Sequence, residues 1–237
     1  LHAVEVEKIA LHHKPQQRLQ QLLQNSPTDE IETHCSQLCK LFEQSGVNLV
    51  HFGVTGSLLI GQQKASSDID LVCYDLQTFH KARAAVRDLI EQNLLSNLAH
   101  EDWRESYARR DCDLSFENYV WHEKRKDNKG LIHGRKFDLS LVKKSVNQAT
   151  KFSKLGKIML QTQIIDATRA FCYPAEFELA DSKIQKVVCF TATYVGQAIA
   201  GEFVEISGQL EQDEAGNQRI VVGSNREARG EYIYCIR

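Results

Sequence analysis

The feature that most constrains the fold of this chain is a change of hydrophobic period near Gly156. Upstream, apolar residues recur mainly at helical spacing, broken by a few short β-branched runs. Downstream, "KIMLQTQII", "AEFELA", "KIQKVVCFTATYV", "EFVEISGQLE", "QRIVVGS" and "EYIYCIR" form six strand-like segments with turns between them. The pattern predicts an α+β chain: a mixed sheet with flanking helices, then a small all-β, barrel-like domain. The expected boundaries are N-terminal helices over 1–46, a mixed-sheet domain over 47–150 and the β domain over 151–237. At 237 residues, 42% of them hydrophobic, the chain is long enough to bury such cores.

Within the first part, "PQQRLQQLLQ" places Leu19, Leu22 and Leu23 on one helical face. "SPTDEIETHCSQLCKLFEQSG" predicts a helix capped by Ser26, with Pro27 at its first position and a stop at Gly46. "VNLVHFGV" and "DIDLVCY" read as strands, "SLLIG" as a helix start, and "LQTFHKARAAVRDLIEQNLLSNL" as a helix. "YVWHEKR" and "RKFDLSLV" look like strands joined by the loop "KDNKGLIHG".

Charge and cysteine usage narrow the class. A formal charge of −2 argues against a generic polyanion binder, so nucleic-acid contact would need a local patch. Seven scattered cysteines without scaffold spacing favour a reducing cytoplasm. Cys35 and Cys39, beside a single histidine, read as buried thiols. "LHAVEVEKIALHHK" lacks the pattern of a signal peptide and no run of eighteen apolar residues occurs, so a cytoplasmic protein with no membrane partner is expected.

The chemistry concentrates in "HFGVTGSLLIGQQKASSDIDLVCYD", residues 51–75. In a strand, alternate side chains share a face, so Asp68 and Asp70 point together while Ile69 and Leu71 point into the opposite layer. Two carboxylates about 4 Å apart repel by about 4 kcal/mol at an effective dielectric of about 20, unless a cation lies between them. Mg²⁺, which joins one or two carboxylates to substrate phosphates, suits such a pair. Asp138 in "KFDLSLV" is the best third carboxylate, a polar break opposite Phe137, Leu139 and Leu141. Asp111 and Asp113 in "RRDCDLSF" are its rivals. The Gly56-Ser57 turn offers a close backbone approach, amide donors and a hydroxyl to anionic oxygen.

An apolar strand, Gly56-Ser57, "SDIDLV" and a later strand aspartate in "FDLSLV" together resemble the polymerase-beta-like nucleotidyltransferase superfamily, over roughly residues 47–142. The resemblance implies a nucleotidyltransferase-type mixed sheet and transfer of a nucleoside monophosphate from an NTP, with ATP expected, to a hydroxyl-bearing acceptor with release of pyrophosphate. It implies that Gly56 and Ser57 hold the β- and γ-phosphates, that Asp68 and Asp70 bind Mg²⁺ or Mn²⁺, and that Asp138 completes the metal site nearest the acceptor. RNA and protein are acceptor classes consistent with it. The competing expectation is a non-catalytic nucleotide- or nucleic-acid-binding module acting through partner contacts.

Two further expectations concern charge. Lys124, Arg125, Lys126, Lys129, Arg135 and Lys136 form a basic stretch before Asp138, suited to a triphosphate or polyanionic acceptor; Lys136 is the candidate nucleotide ligand, and Trp121 with His122 could stack on a base. The β domain carries the opposite charge: residues 175–214 are strongly acidic, so Phe190, Tyr194 and Phe203 are expected in core or interface positions rather than against bases.

Overall fold

A computed structural model describes residues 4–110, 112–142, 150–225 and 228–237. Its elements run α1 (Pro15–Gln24), α2 (Glu30–Gln44), β1 (Phe52–Val54), α3 (Gly56–Leu59), β2 (Ile69–Cys73), α4 (Leu76–Glu91), α5 (His100–Arg110), α6 (Phe116–Lys124), β3 (Lys129–Ile132) and β4 (Arg135–Leu141). The strands β5 (Phe152–Asp166), β6 (Ala175–Leu179), β7 (Ile184–Cys189), β8 (Phe203–Asp213), β9 (Gln218–Val222) and β10 (Tyr232–Cys235) follow. The fold is α+β with two sheets and flanking helices. Among the described residues no helix is long and apolar enough to cross a membrane.

The chain divides into two compact units, Leu1–Asn97 with Asn128–Ser140, and Leu98–Asp127 with Leu141–Arg237. The first holds a four-stranded sheet in the order β1-β2-β4-β3, with α1 against β1 and α4 against β2 and β3. Helix α2 buries Ile31, Cys35, Leu38, Cys39 and Phe42, a stripe at helical spacing. Its cap is Asp29 rather than the expected Ser26. Asp29 accepts from the Glu32 amide at 2.8 Å, and the Glu32 carboxylate accepts from the Thr28 amide and hydroxyl at 2.9 Å each. This reciprocal pairing outweighs the start that Pro27 offers three residues earlier.

The second unit pairs β5 with β8 and β6, β6 with β7, β7 with β9 in parallel, and β9 back with β8, so five strands close on themselves. Strand β10 adds to the outer edge of β8. Along that edge β8 first meets β10 through Val204–Ser207 and then β9 through Gln209–Gln212. Gly208 stands at the change of partner, where an added Cβ would lie 2.5 Å from the Val221 carbonyl oxygen.

Four sequence expectations fail here. "YVWHEKR" is helical, in α6: Ser115 caps it, and the buried positions Tyr119, His122 and Glu123 follow helical spacing despite their strand-favouring composition. Strand β3 lies inside the stretch expected to be a loop and pairs Lys129 with Asp138 across a hairpin turned at His133 and Gly134. The basic stretch is therefore split. Lys126 is buried, bonded to the Glu123 carboxylate and to the Thr193 carbonyl at 3.0 Å, while Arg125 bonds to Glu202. Trp121 carries the Arg125 and Arg237 guanidiniums at 4.3 and 4.8 Å from its ring centroid, and His122 is buried, so neither is placed to stack on a base. Of the three aromatics expected in core or interface positions, Tyr194 is core, and Phe190 and Phe203 lie at the surface.

His122 ties α6 to the strands: its Nδ1 lies 3.1 Å from the Gln197 carbonyl and its Nε2 accepts from the Cys235 amide at 3.4 Å. A neutral ring protonated at Nδ1 satisfies both contacts. Burial, aided by the Lys126 charge, holds its pKa down at about 4.

Two outcomes are expected. Gly208→Ala should lower stability by about 1–3 kcal/mol, because the new methyl meets backbone that cannot move aside; urea unfolding measures it. In the unfolded chain His122 titrates near pH 6.5, so stability present above that value is lost as pH falls toward about 4. Urea midpoints followed across that window should fall less steeply for His122→Gln than for the native chain.

Candidate metal and nucleotide site

The site begins where β1 and β2 run side by side, with Val54 opposite Leu71. The ladder extends one residue further, as the Thr55 amide donates to the Asp70 carbonyl at 2.8 Å. There the chain turns into α3 at Gly56, with φ +61°. A Cβ on Gly56 would lie 2.3 Å from Asp70 Oδ2, so the carboxylate rests directly on the glycine backbone. Both the positive φ and the contact demand glycine.

Ile69 and Leu71 are fully buried, while Asp70 is half-buried and Asp68, just before the strand, is exposed. The alternation expected from sequence is thus present. Burial raises the Asp70 carboxyl above its usual range, and the neighbouring charge of Asp68 raises it further. An acid in this state is stabilised by any cation that approaches it.

Two arginines fix the segments that carry these groups. From α1, Arg18 donates through Nε to the Leu58 carbonyl at 3.0 Å and through Nη2 to Glu32 at 2.8 Å, which anchors α3. From β4, Arg135 donates to the carbonyls of Ala65 and Ser67 at 2.8 and 2.9 Å, holding the loop that delivers Asp68. Its other donors reach His34 Nδ1 at 3.1 Å and Glu30 at 3.2 Å. Burial and the Arg135 charge hold the His34 pKa down, which keeps the acceptor nitrogen unprotonated. Arg135, counted from sequence among cations for a polyanion, is committed to this loop.

Asp138 lies on β4, the neighbour of β2, and shares a strand face with Lys136 opposite to buried Phe137 and Leu139. Its Oδ1 is 3.4 Å from Asn128 Nδ2 and its Oδ2 is 3.8 Å from Lys129 Nζ. Gly56, Ser57 and Asp70 are brought together, with Asp68 close enough to act on Asp70. Among the described residues no three His, Cys, Asp or Glu side chains gather as a metal site. Of the rival pair, Asp111 lies outside the described residues, and Asp113 accepts from the Gly230 amide at 2.9 Å, a structural bond within the second unit. Arg18 and Asn128 carry no distinguishing mark in the sequence as site residues; Lys129 belongs to the basic stretch singled out there, and its position opposite Asp138 is readable once the hairpin register is known.

The donor set suits a hard divalent cation: two aspartates one residue apart, and a glycine cradle that any side chain would fill. Asp68 and Asp70 would hold it.

No family model matches the chain. It is similar to an uncharacterized protein of Methanocaldococcus jannaschii, 36% identical over 218 residues, which cover 86% of this chain and 64% of that protein. The chain thus spans less than two thirds of its relative's length.

Asp70 generates a pH prediction. Its folded pKa is raised, so its favourable contribution is complete below the unfolded value and is lost as pH rises through the folded one. Asp70→Asn should therefore be more stable than the native chain at neutral pH, with the gap closing as pH falls below the carboxylate range, in metal-free urea titrations. A less stable variant at neutral pH would mean that the charged carboxylate has a structural partner.

Proposed function

We propose that this chain is a metal-dependent nucleotidyltransferase that moves a nucleoside monophosphate from an NTP, with ATP the expected donor, to a hydroxyl-bearing acceptor. The observation that carries the reading is the Asp70 carboxylate seated on the Gly56 backbone with Asp68 beside it. Folding has gathered two carboxylates against an open turn, an arrangement apt for a cation.

Asp68 and Asp70 would hold Mg²⁺ or Mn²⁺, which when bound neutralises phosphate oxygens and favours the α-phosphorus as an electrophile. The Gly56-Ser57 turn offers amides and a hydroxyl to the β- and γ-phosphates, and Lys136 offers a positive charge to the same group. Asp138 receives the proton of the acceptor hydroxyl as its oxygen bonds to the α-phosphorus. The bond from that phosphorus to the bridging oxygen breaks, and pyrophosphate leaves. Lys129 and Asn128 orient Asp138 for this role.

The order in which the five strands of the second unit close, with its one parallel pair, supports an OB-like barrel. All seven cysteines are free and six are buried, which supports a reducing cytoplasm.

The test is transfer of label from each α-labelled NTP into cell extract with Mg²⁺ or Mn²⁺. Labelling should occur with the native chain and fall at least a hundred-fold in Asp68→Asn and Asp70→Asn, a loss of about 2.7 kcal/mol or more in transition-state stabilisation. Sensitivity of the product to nuclease or protease names the acceptor class. Absence of label with every nucleotide, from a folded native chain, would sink the enzyme reading in favour of the binding module.

A further inference from the structure

The barrel unit contains a cavity of about 580 Å³ that the chemistry above does not use. It lies over β6 and β7, between the β5–β6 connection and the turn from β8 into β9. Two of its aromatic side chains are open to solvent: Tyr173 is 67% and Phe190 39% exposed, with their rings edge-on at 6.3 Å. Exposed aromatics of this size, next to each other at a cavity mouth, present π faces to solvent.

A second flat surface stands in the same cavity. The Arg219 guanidinium lies 3.4 Å from the centroid of the Phe152 ring, and its Nε and Nη2 donate to one Glu211 oxygen at 3.1 and 2.8 Å. Held by ring and carboxylate together, it is a rigid, planar cationic platform. The other two cations of the lining, Arg169 and Lys186, both bind Glu176, at 2.9 and 3.0 Å. Arg169 and Lys186 thus share one carboxylate while Arg219 has its own, which leaves these paired groups a single excess positive charge and makes the cavity a weak trap for bare phosphates. Gln185, Asn217 and Gln218 supply neutral hydrogen-bonding groups.

Flat faces, a pinned guanidinium plane and carboxamides match one ligand chemistry better than others. Unstacked nucleobases stack on aromatic rings and on guanidinium planes and offer donors and acceptors at their edges. Sugars can pack C–H groups on tyrosine or phenylalanine but present no π surface to a guanidinium. We propose that this cavity binds the unstacked bases of a single-stranded polynucleotide, with Tyr173 and Phe190 as one stacking surface and Arg219 on Phe152 as the other. The site goes beyond the transfer reaction and stands without it, since it requires neither NTP nor metal.

The experiment is fluorescence anisotropy of the full chain, in EDTA and without NTP, with labelled single-stranded RNA and DNA probes of about ten nucleotides, within the span of an OB-type site. Binding is expected, with a shallow salt dependence, because few phosphates are neutralised: a log–log slope of magnitude below about 2. Tyr173→Ala and Phe190→Ala should each weaken binding about ten-fold. Arg219→Lys keeps the charge but loses the plane, and should weaken binding to a similar degree. Tyr173 is largely exposed, so its variant decides the matter even if Arg219→Lys fails to fold. The RNA and DNA arms identify the sugar type. Absence of binding at several hundred micromolar protein, undiminished binding by Tyr173→Ala, or a steep salt slope with full retention by Arg219→Lys would each overturn the proposal. So would displacement of the probe by a neutral oligosaccharide.

Discussion

A carboxylate resting on a glycine backbone is the contact around which the first unit is arranged. Asp70 occupies the space where a side chain at position 56 would stand, and the positive φ of Gly56 lets the chain leave β1 and enter α3 within one residue. The turn can then bring Ser57 and the first amides of α3 beside an acidic group without an intervening side chain. No packing argument requires this, because Ile69 and Leu71 already secure β2 from the opposite face. Burial and a like charge both act against ionised Asp70.

The flanking segments are held firmly, and two guanidiniums supply the restraint. Arg18 joins a carbonyl of α3 to a carboxylate of α2, and Arg135 joins two carbonyls of the Asp68 loop to a carboxylate of α2 and an imidazole. A guanidinium suits both tasks because its donors fan out in one plane and can reach several acceptors at fixed angles. Each arginine couples a segment of the site to α2, so α2 serves as a common strut. Its own start, fixed by Asp29, Thr28 and Glu32, belongs to the same network through the Glu32 bond to Arg18.

Much of this is legible in the sequence where one residue type has few uses. The alternate aspartates, the Gly-Ser turn and the six C-terminal strands follow from period and turn chemistry; the strands stand where expected, while Asp68 falls just before β2 and Gly56 and Ser57 open α3. Partners are what a sequence does not display. Arg135 and Lys126 are indistinguishable in a string of basic residues, yet one clamps a loop and the other is buried against Glu123. Helix α6 reads as a strand because tyrosine, valine and tryptophan favour strands by composition, while burial of Tyr119, His122 and Glu123 follows helical spacing. The displaced cap of α2 has the same origin, since Asp29 wins through a carboxylate exchange that no propensity scale records.

Charge counting is only a partial guide in the second unit for a related reason. The acidic excess between residues 175 and 214 argues against base contacts, but it is not distributed as a free field: Glu176 holds Arg169 and Lys186, and Glu211 holds Arg219. Pairing offsets those carboxylates as repulsive charges and, in the same step, weakens the three cations as phosphate traps, Glu176 being shared by two of them. What is left is shape, namely two aromatic faces and an immobilised guanidinium plane. Net charge governs long-range attraction of a polyanion, whereas stacking acts only on contact and survives in a neutral pocket. A surface that is electrostatically quiet can therefore still discriminate flat ligands, and the acidic composition of the barrel then limits how fast a polynucleotide arrives rather than whether its bases fit.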